Sequence, residues 1–486
     1  MKLSHTPAAT SAVFDDPNLV SVAGLVPVLG LAESAGLRDL ADAHLSVPSD
    51  KGANAGLKVT SLVGGMVAGA DSIDDMALLR NGGMGRVFAR AYAPSTLGSF
   101  LRAFTFGHVR QLDAVAARFL VALVGLTELL GRGGNTGGRA TAPGEYALLD
   151  VDDTIVEVHG YAKQGAGFGY TRVRGLNAVL ATLMTSSSVP VVVAQRLRKG
   201  AANSARGAKR LVADAVKQAR RLLALQDPAA LVLVRMDSAY YGRGAVWAAL
   251  AGGAQVSVTV PMNAQIKTAI AAIDQDAWTA IEYTDAVLDE ATGTWVSRAE
   301  VAEVSFTAFA SGKKPERVPG RLVVRRIPDL NTKKAASDGS TQDALFEVWR
   351  FHAFFTTADP EILDTVAADK THRHHAVIEQ VHADLKNSAL AHLPSGIFNA
   401  NAAWLVLAVI AFNLTRAAGT VAAPDLARAT TATIRRKLIA VPARTASSAR
   451  RITLHLPTSW PWQCAWTELF NRAFDRVSDP PPVLAD

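Results

Sequence analysis

Cysteine is almost missing from these 486 residues: Cys464 is the only one, which excludes an intramolecular disulfide framework and any zinc module built on thiolates. A reducing, intracellular setting is the expectation. Charged residues are sparse as well, 19% against 49% apolar, with 7% aromatic, a balance that excludes disorder throughout and points to well-packed cores. Long hydrophobic runs are lacking. The most apolar run, residues 404–412, is far short of the roughly 20 residues that cross a bilayer, so a buried helix is expected there. The apolar stretch at 25–31 is flanked by Asp15, Asp16 and Glu33 and lacks the basic approach of a signal peptide.

What the sequence does carry is a net charge of +7 and enough length for roughly two to four structural units. The charge leans towards a polyanionic partner. Residues 1–130 have helical periodicity, with helix starts expected at Ser72 followed by Asp75 and at Ser95 after Pro94. A stretch rich in Gly and Thr, 131–144, reads as a linker. Short apolar strands follow at 146–158, 177–184 and 189–197, then a basic amphipathic helix at 204–225, a strand at 230–236, a helix at 243–251 and a strand at 255–260. Residues 263–351 read as a mostly β insertion, with strands at 294–306, 321–327 and 345–355 around a polar loop at 331–342. Helices return at 371–386 and 402–418. A basic stretch closes the chain, with Arg428, Arg435, Arg436, Lys437, Arg444, Arg450 and Arg451. Trp247, Trp278, Trp295, Trp349 and Trp404 are expected in cores.

Three places can carry chemistry. In Asp150-Val151-Asp152-Asp153-Thr154, acids end an apolar strand, and Asp150 and Asp152 share a face by the two-residue period. Asp237 follows the fourth apolar strand, at 230–236, where ligands collect in open α/β sheets. Two such strands side by side would bring Asp152 and Asp237 together, a repulsion that Mg²⁺ or Mn²⁺ relieves. On the helix at 371–386, helical spacing sets Glu379 in a row with His372, His375, His382 and Lys386. His375 and Glu379 would both reach one zinc ion, but no third ligand of zinc type is evident. The alternative for each acid is simple solvation at a strand end or on a helix face.

With these residues in hand, the chain resembles the DDE transposases of bacterial insertion sequences, in the branch containing the insertion-sequence 1380 family. The Asp-x-Thr motif matches Asp152 and Thr154, Asp-Ser matches Asp237 and Ser238, and Glu-x6-Lys matches Glu379 and Lys386. Where the wider superfamily has Tyr and Arg ahead of the Glu, this sequence has His372 and His375.

The resemblance implies an α/β RNase H-like core, a mixed five-stranded sheet with helices, interrupted by the β insertion and preceded by an all-α N-terminal domain. The implied segments are a DNA-binding domain with linker (1–140), the two parts of the core (141–262 and 352–418), the insertion (263–351) and a basic tail (419–486). It further implies a bacterial cytoplasmic, nucleoid-associated enzyme that cuts and joins double-stranded DNA at inverted-repeat and target sites, with hairpin ends as one route, working as a homodimer. Asp152, Asp237 and Glu379 would hold two Mg²⁺ or Mn²⁺ ions, with Asp150 or Asp153 as a further ligand. Lys386, His375, His372, Arg198, Lys199 and Arg102 would contact DNA phosphate. Two rival readings stand: a haloacid-dehalogenase-like phosphatase with Asp150 as nucleophile and Asp152 as acid/base, and a DNA-binding relative that has lost catalysis.

Overall fold

The computed structural model describes residues 4–48, 50–131, 145–289, 294–328 and 349–475, apart from the side chains of 7, 282–298 and 475. Packing divides the chain into two units, 1–127 with 384–486 and 128–383.

The N-terminal part of the first unit is helical: α1 (Leu25–Ser34), α2 (Leu37–His44), α3 (Ala55–Ala68), α4 (Pro94–Arg102) and α5 (Phe106–Leu126). Pro94 sits in the first turn of α4, where a missing N–H breaks no bond. Thr105 and His108 form a capping box at the start of α5. At the other expected start, Ser72 Oγ donates to Asp75 at 2.7 Å, but the turn that follows is a 3₁₀ helix, Asp74–Arg80.

The second unit is built on one sheet. Strands β1 (Tyr146–Glu157), β2 (Arg174–Met184) and β3 (Val191–Lys199) form an antiparallel meander. Helix α6 (Ala208–Leu223) then leads to β4 (Leu231–Met236), parallel to β1, and α7 (Arg243–Ala251) leads to β5 (Gln255–Thr259), parallel to β4. Helix α6 buries Leu211, Val212, Ala215, Val216, Ala219 and Leu222 at helical spacing and turns Lys209, Arg210, Lys217 and Arg221 outward. Strand β4 is buried from Val232 to Met236, as expected of a parallel strand covered on both faces.

After β5 come α8 (Ala264–Ala271), β6 (Thr279–Asp289), β7 (Thr294–Ala308), β8 (Val318–Pro328) and β9 (Trp349–Thr356). Strand β9 pairs antiparallel with β5. These strands therefore extend the same sheet, in the order β3-β2-β1-β4-β5-β9-β8-β7-β6, with Gly167–Phe168 added beside β2. Without β9, the outer side of β5 would be an open edge of unpaired backbone groups. Neither α8 nor β6 was expected from periodicity. The polar loop at 331–342 and nearly all of the linker lie outside the described residues.

In place of the single helix expected at 371–386 there are two, α9 (Thr365–Arg373) and α10 (Val377–Lys386), joined by a 3₁₀ turn at His374–Ala376.

The chain then returns to the first unit through α11 (Phe398–Ala422), which packs against α1, α3, α4 and α5. At 25 residues it is much longer than the apolar run foresaw, and it is long and apolar enough to cross a membrane. Yet 89% of its most apolar window is buried inside the protein. The expected basic tail is folded through Asp475: strands β10 (Ala443–Ser448) and β11 (Arg451–His455) pair with each other, β10 pairs with Leu19–Val20, and α12 (Gln463–Asp475) packs on α1 and α11. The first unit is therefore not purely helical.

Of the tryptophans, Trp404 is a core residue, whereas Trp247 is exposed and Trp278 and Trp349 are half-buried, their rings 4.2 and 4.4 Å from the Arg326 guanidinium. The side chain of Trp295 lies outside the description.

Candidate active site

The sheet register brings the two acids together, although β1 runs on to Glu157, so that only Asp237 stands at the end of its strand. Val151 of β1 lies opposite Met236 of β4 in the last paired position, so the next residue on each strand is an acid, Asp152 and Asp237. One layer below, Asp150 lies opposite Arg235. That arginine is fully enclosed, at 0% exposure against 1% for Asp150, and donates from Nε and Nη2 to the two carboxylate oxygens at 2.6 and 2.7 Å. Its remaining hydrogens reach the carbonyls of Thr371 and, at 3.3 Å, His374. These carbonyls belong to the end of α9 and the 3₁₀ turn, where backbone acceptors lose their helical partners. A single guanidinium thus ties both acid-bearing strands to the break that precedes the Glu379 helix.

Asp153, on the other face of β1, is held differently. Asn177 Nδ2 donates to it at 2.6 Å, Ser204 Oγ at 3.1 Å, and Arg198 pairs with the same carboxylate. Arg198 is itself buried and also donates to Asn177 Oδ1 and to the carbonyls of Ser204 and Arg206. Both acids left open as extra ligands, Asp150 and Asp153, are therefore committed to internal ion pairs. Arg198 faces Asp153 instead of an exposed phosphate.

Asp152 is left with a surplus of negative charge. Its carboxyl is pushed up to about 7, first by burial, then by the charges of Asp237, Asp153 and Glu379. Asp237 is also raised, by desolvation and then by Asp153, against hydrogen bonds from the backbone of Ala239 and Tyr240 and the charge of His375. His382 Nδ1 lies 3.8 Å from Asp152 Oδ2. Glu379, on α10, is exposed yet close enough to act on Asp152.

His372 does not join the exposed basic row. Its ring stacks on Phe354 at 4.1 Å and 7°, and its nitrogens meet Ser257 Oγ at 2.8 Å and Thr259 Oγ1 at 3.0 Å. Burial pushes it down to about 3, so it is a neutral ring holding α9 to β5 and β9 and has no charge to offer a phosphate. Lys199 and Arg102 are exposed, and Lys386 lies further along α10 than Glu379.

Sequence reasoning missed two residues. Arg235 was legible as the one charge in a strand otherwise wholly apolar, which demands a buried partner. Tyr240 follows Asp237 by three positions and is buried with a hydroxyl that has no hydrogen-bond partner among the described residues. Burial raises its pKa, as do the charges of Asp153, Asp152 and Asp237.

Oxygen-only donors under mutual repulsion suit hard divalent cations such as Mg²⁺ or Mn²⁺. Among the described residues, no three His, Cys, Asp or Glu side chains already close on a single ion. A pair of ions shared between carboxylates, with phosphate and water completing each shell, does not require them to.

A family model described as transposase DDE domain group 1 matches residues 8–478. The chain belongs to that family. No curated protein matches it. DDE transposase domains generally use divalent metal ions, in keeping with the donor chemistry here, and membership supports a transposase activity. For this DDE protein the phosphatase alternative loses its nucleophile, because both oxygens of Asp150 are engaged by Arg235.

Proposed function

We propose that this protein is a cut-and-paste DNA transposase of the insertion-sequence 1380 branch, working on chromosomal DNA in a bacterial cytoplasm, with Asp152, Asp237 and Glu379 as its catalytic acids. The observation that carries the reading is the Val151–Met236 register, which sets Asp152 beside Asp237 while Glu379 adds its charge to the same carboxyl. The order β3-β2-β1-β4-β5, three antiparallel strands and then two parallel ones, supports an RNase H-like core.

Asp152, Asp237 and Glu379 would hold two divalent ions, which when bound activate the attacking oxygen and stabilise the leaving one. The chain's own part is positional. Arg235 fixes the spacing of the two strands and anchors the turn before α10, and the Asp153–Arg198 network stiffens the opposite face of β1. Lys386, His375 and Lys199 would supply hydrogen-bond donors for phosphate, and the helical N-terminal domain, with Arg102 on its surface, recognises inverted-repeat ends. A homodimer would hold two ends together.

The test starts from the DNA on either side of the gene, where short inverted repeats are expected. Duplexes carrying those repeats should be cut at their ends by the purified protein with Mg²⁺ and left intact with EDTA. Absence of cleavage on every flanking repeat removes the reading.

A further inference from the structure

The hairpin that joins β1 to β2 is aromatic, basic and free of acids. From Val158 to Arg174 it carries Tyr161, Phe168 and Tyr170 together with His159, Lys163, Arg172 and Arg174, and no Asp or Glu. The rings stand in solvent, with Phe168 at 65% exposure, Tyr161 at 92% and Tyr170 fully exposed. Burial cannot account for three such rings on one hairpin, and grouped exposed rings mark binding surfaces.

The hairpin is nonetheless well anchored. Val158 N donates to Arg174 O at 3.0 Å, Arg172 N to Gly169 O at 3.1 Å and Gly200 N to Gly165 O at 3.0 Å. At Gly200 a Cβ would stand 2.1 Å from Gly175 O and 2.4 Å from Gly167 O, so only glycine lets the end of β3 seat the hairpin this closely. Phe168 is paired with Arg174 across the short ladder, and the Arg174 guanidinium lies 5.0 Å from the Tyr161 ring. A cation and two rings are therefore grouped, with Tyr170 two residues on.

The hairpin also lies at a useful distance from the acids. Asp152 pairs with Leu180 and Glu157 with Gly175, so β1 runs five residues beyond Asp152 before the hairpin opens, about 17 Å along the strand at about 3.3 Å per residue. Stacked nucleotides rise about 3.4 Å each, so a strand leaving the acids along β1 would reach the hairpin after roughly five.

We infer that this hairpin is a single-strand platform, with Phe168 and Tyr170 stacking on unpaired bases about five nucleotides from the cleavage point while Arg172, Arg174 and Lys163 track the phosphates. Rings stack on any base, and neighbouring cations add a charge term that is independent of sequence. The inference rests on the reading of the chain as a DNA transposase.

The experiment measures binding, not cutting, so that the two ideas fail separately. The full-length protein, without divalent metal, is titrated by fluorescence anisotropy against a labelled duplex of about 30 base pairs, blunt or with about six unpaired nucleotides at one end. The parent should bind the frayed duplex roughly tenfold more tightly than the blunt one. F168A/Y170A should abolish that preference while leaving blunt binding unchanged, F168W/Y170W should keep it, and K163A/R172A should lower the steepness of salt dependence by about two. Phe168 and Tyr170 are exposed, so neither ring variant should alter the melting temperature. Equal binding of the two duplexes by the parent, or an undiminished preference in F168A/Y170A, overturns the platform and leaves the catalytic reading standing. If F168A/Y170A instead changes only the oligomeric state in light scattering, the rings belong to a self-interface and the inference is wrong. No binding to either duplex overturns it together with the DNA reading.

Discussion

Arg235 and Asp150 form a solvent-excluded ion pair one layer beneath Asp152 and Asp237. Taking two charges out of water is costly, and removing one partner strands the other. Arg235→Met should therefore destabilise the protein by about 3–5 kcal/mol, measured by urea denaturation. The double variant D150L/R235M should recover most of that loss, because no unpaired charge is then left buried. A double variant no better than R235M would show that the pair's contacts to Thr371 and His374 matter more than its charge balance.

His372 makes stability depend on pH in a defined window. Its folded pKa is lowered from 6.5 to about 3, so the unfolded chain takes up a proton that the folded chain refuses. The contribution of this group is complete above 6.5 and is lost as pH falls towards 3, at about 1.4 kcal/mol per unit. Denaturation midpoints measured across that range should show a shallower fall for His372→Gln than for the parent. Parallel slopes in the two proteins would assign the acid sensitivity to other groups.

Asp152 has the opposite sign. A carboxyl raised from 3.8 to about 7 favours the folded state below its ordinary pKa, and that contribution is lost as pH climbs through 7. In the proposed site a divalent cation would replace the proton. Mg²⁺ or Mn²⁺ should therefore raise the melting temperature more at about pH 8 than at about pH 6, and Asp152→Asn should remove most of the difference. A metal effect of equal size at both values would contradict metal binding at this carboxyl.

Much of this arrangement was legible in the sequence. The alternation of apolar strands with the basic α6 foretold β1 to β5, and the strand-end acids foretold the meeting of Asp152 and Asp237. What stayed hidden depends on long-range pairing. Asp150, Asp152 and Asp153 differ in role only through their partners: Arg235 lies 85 positions after Asp150 and Arg198 45 positions after Asp153, distances over which no local pattern reaches. The docking of β9 on β5 and the return of α11 to the N-terminal helices are hidden for the same reason. His372 and Glu379 were assigned to one helical face, but a continuous 3.6-residue period does not foresee a 3₁₀ turn whose carbonyl is taken by a distant arginine.

Tyr240 offers a test that separates stability from chemistry. Its hydroxyl is buried without a partner among the described residues, and such a group is destabilising. Tyr240→Phe should leave the melting point unchanged or raise stability by up to about 1 kcal/mol, while DNA binding stays intact. A clear loss of stability would mean that the hydroxyl is bonded through an ordered water.

The most direct measurement compares strand cleavage with end binding for Asp152→Ala, Asp237→Ala and Glu379→Ala on the same flanking-repeat duplex with Mg²⁺. Each variant should bind the ends much as the parent does while cleavage falls below detection. Cleavage retained by any one of the three would contradict a single site built from these acids.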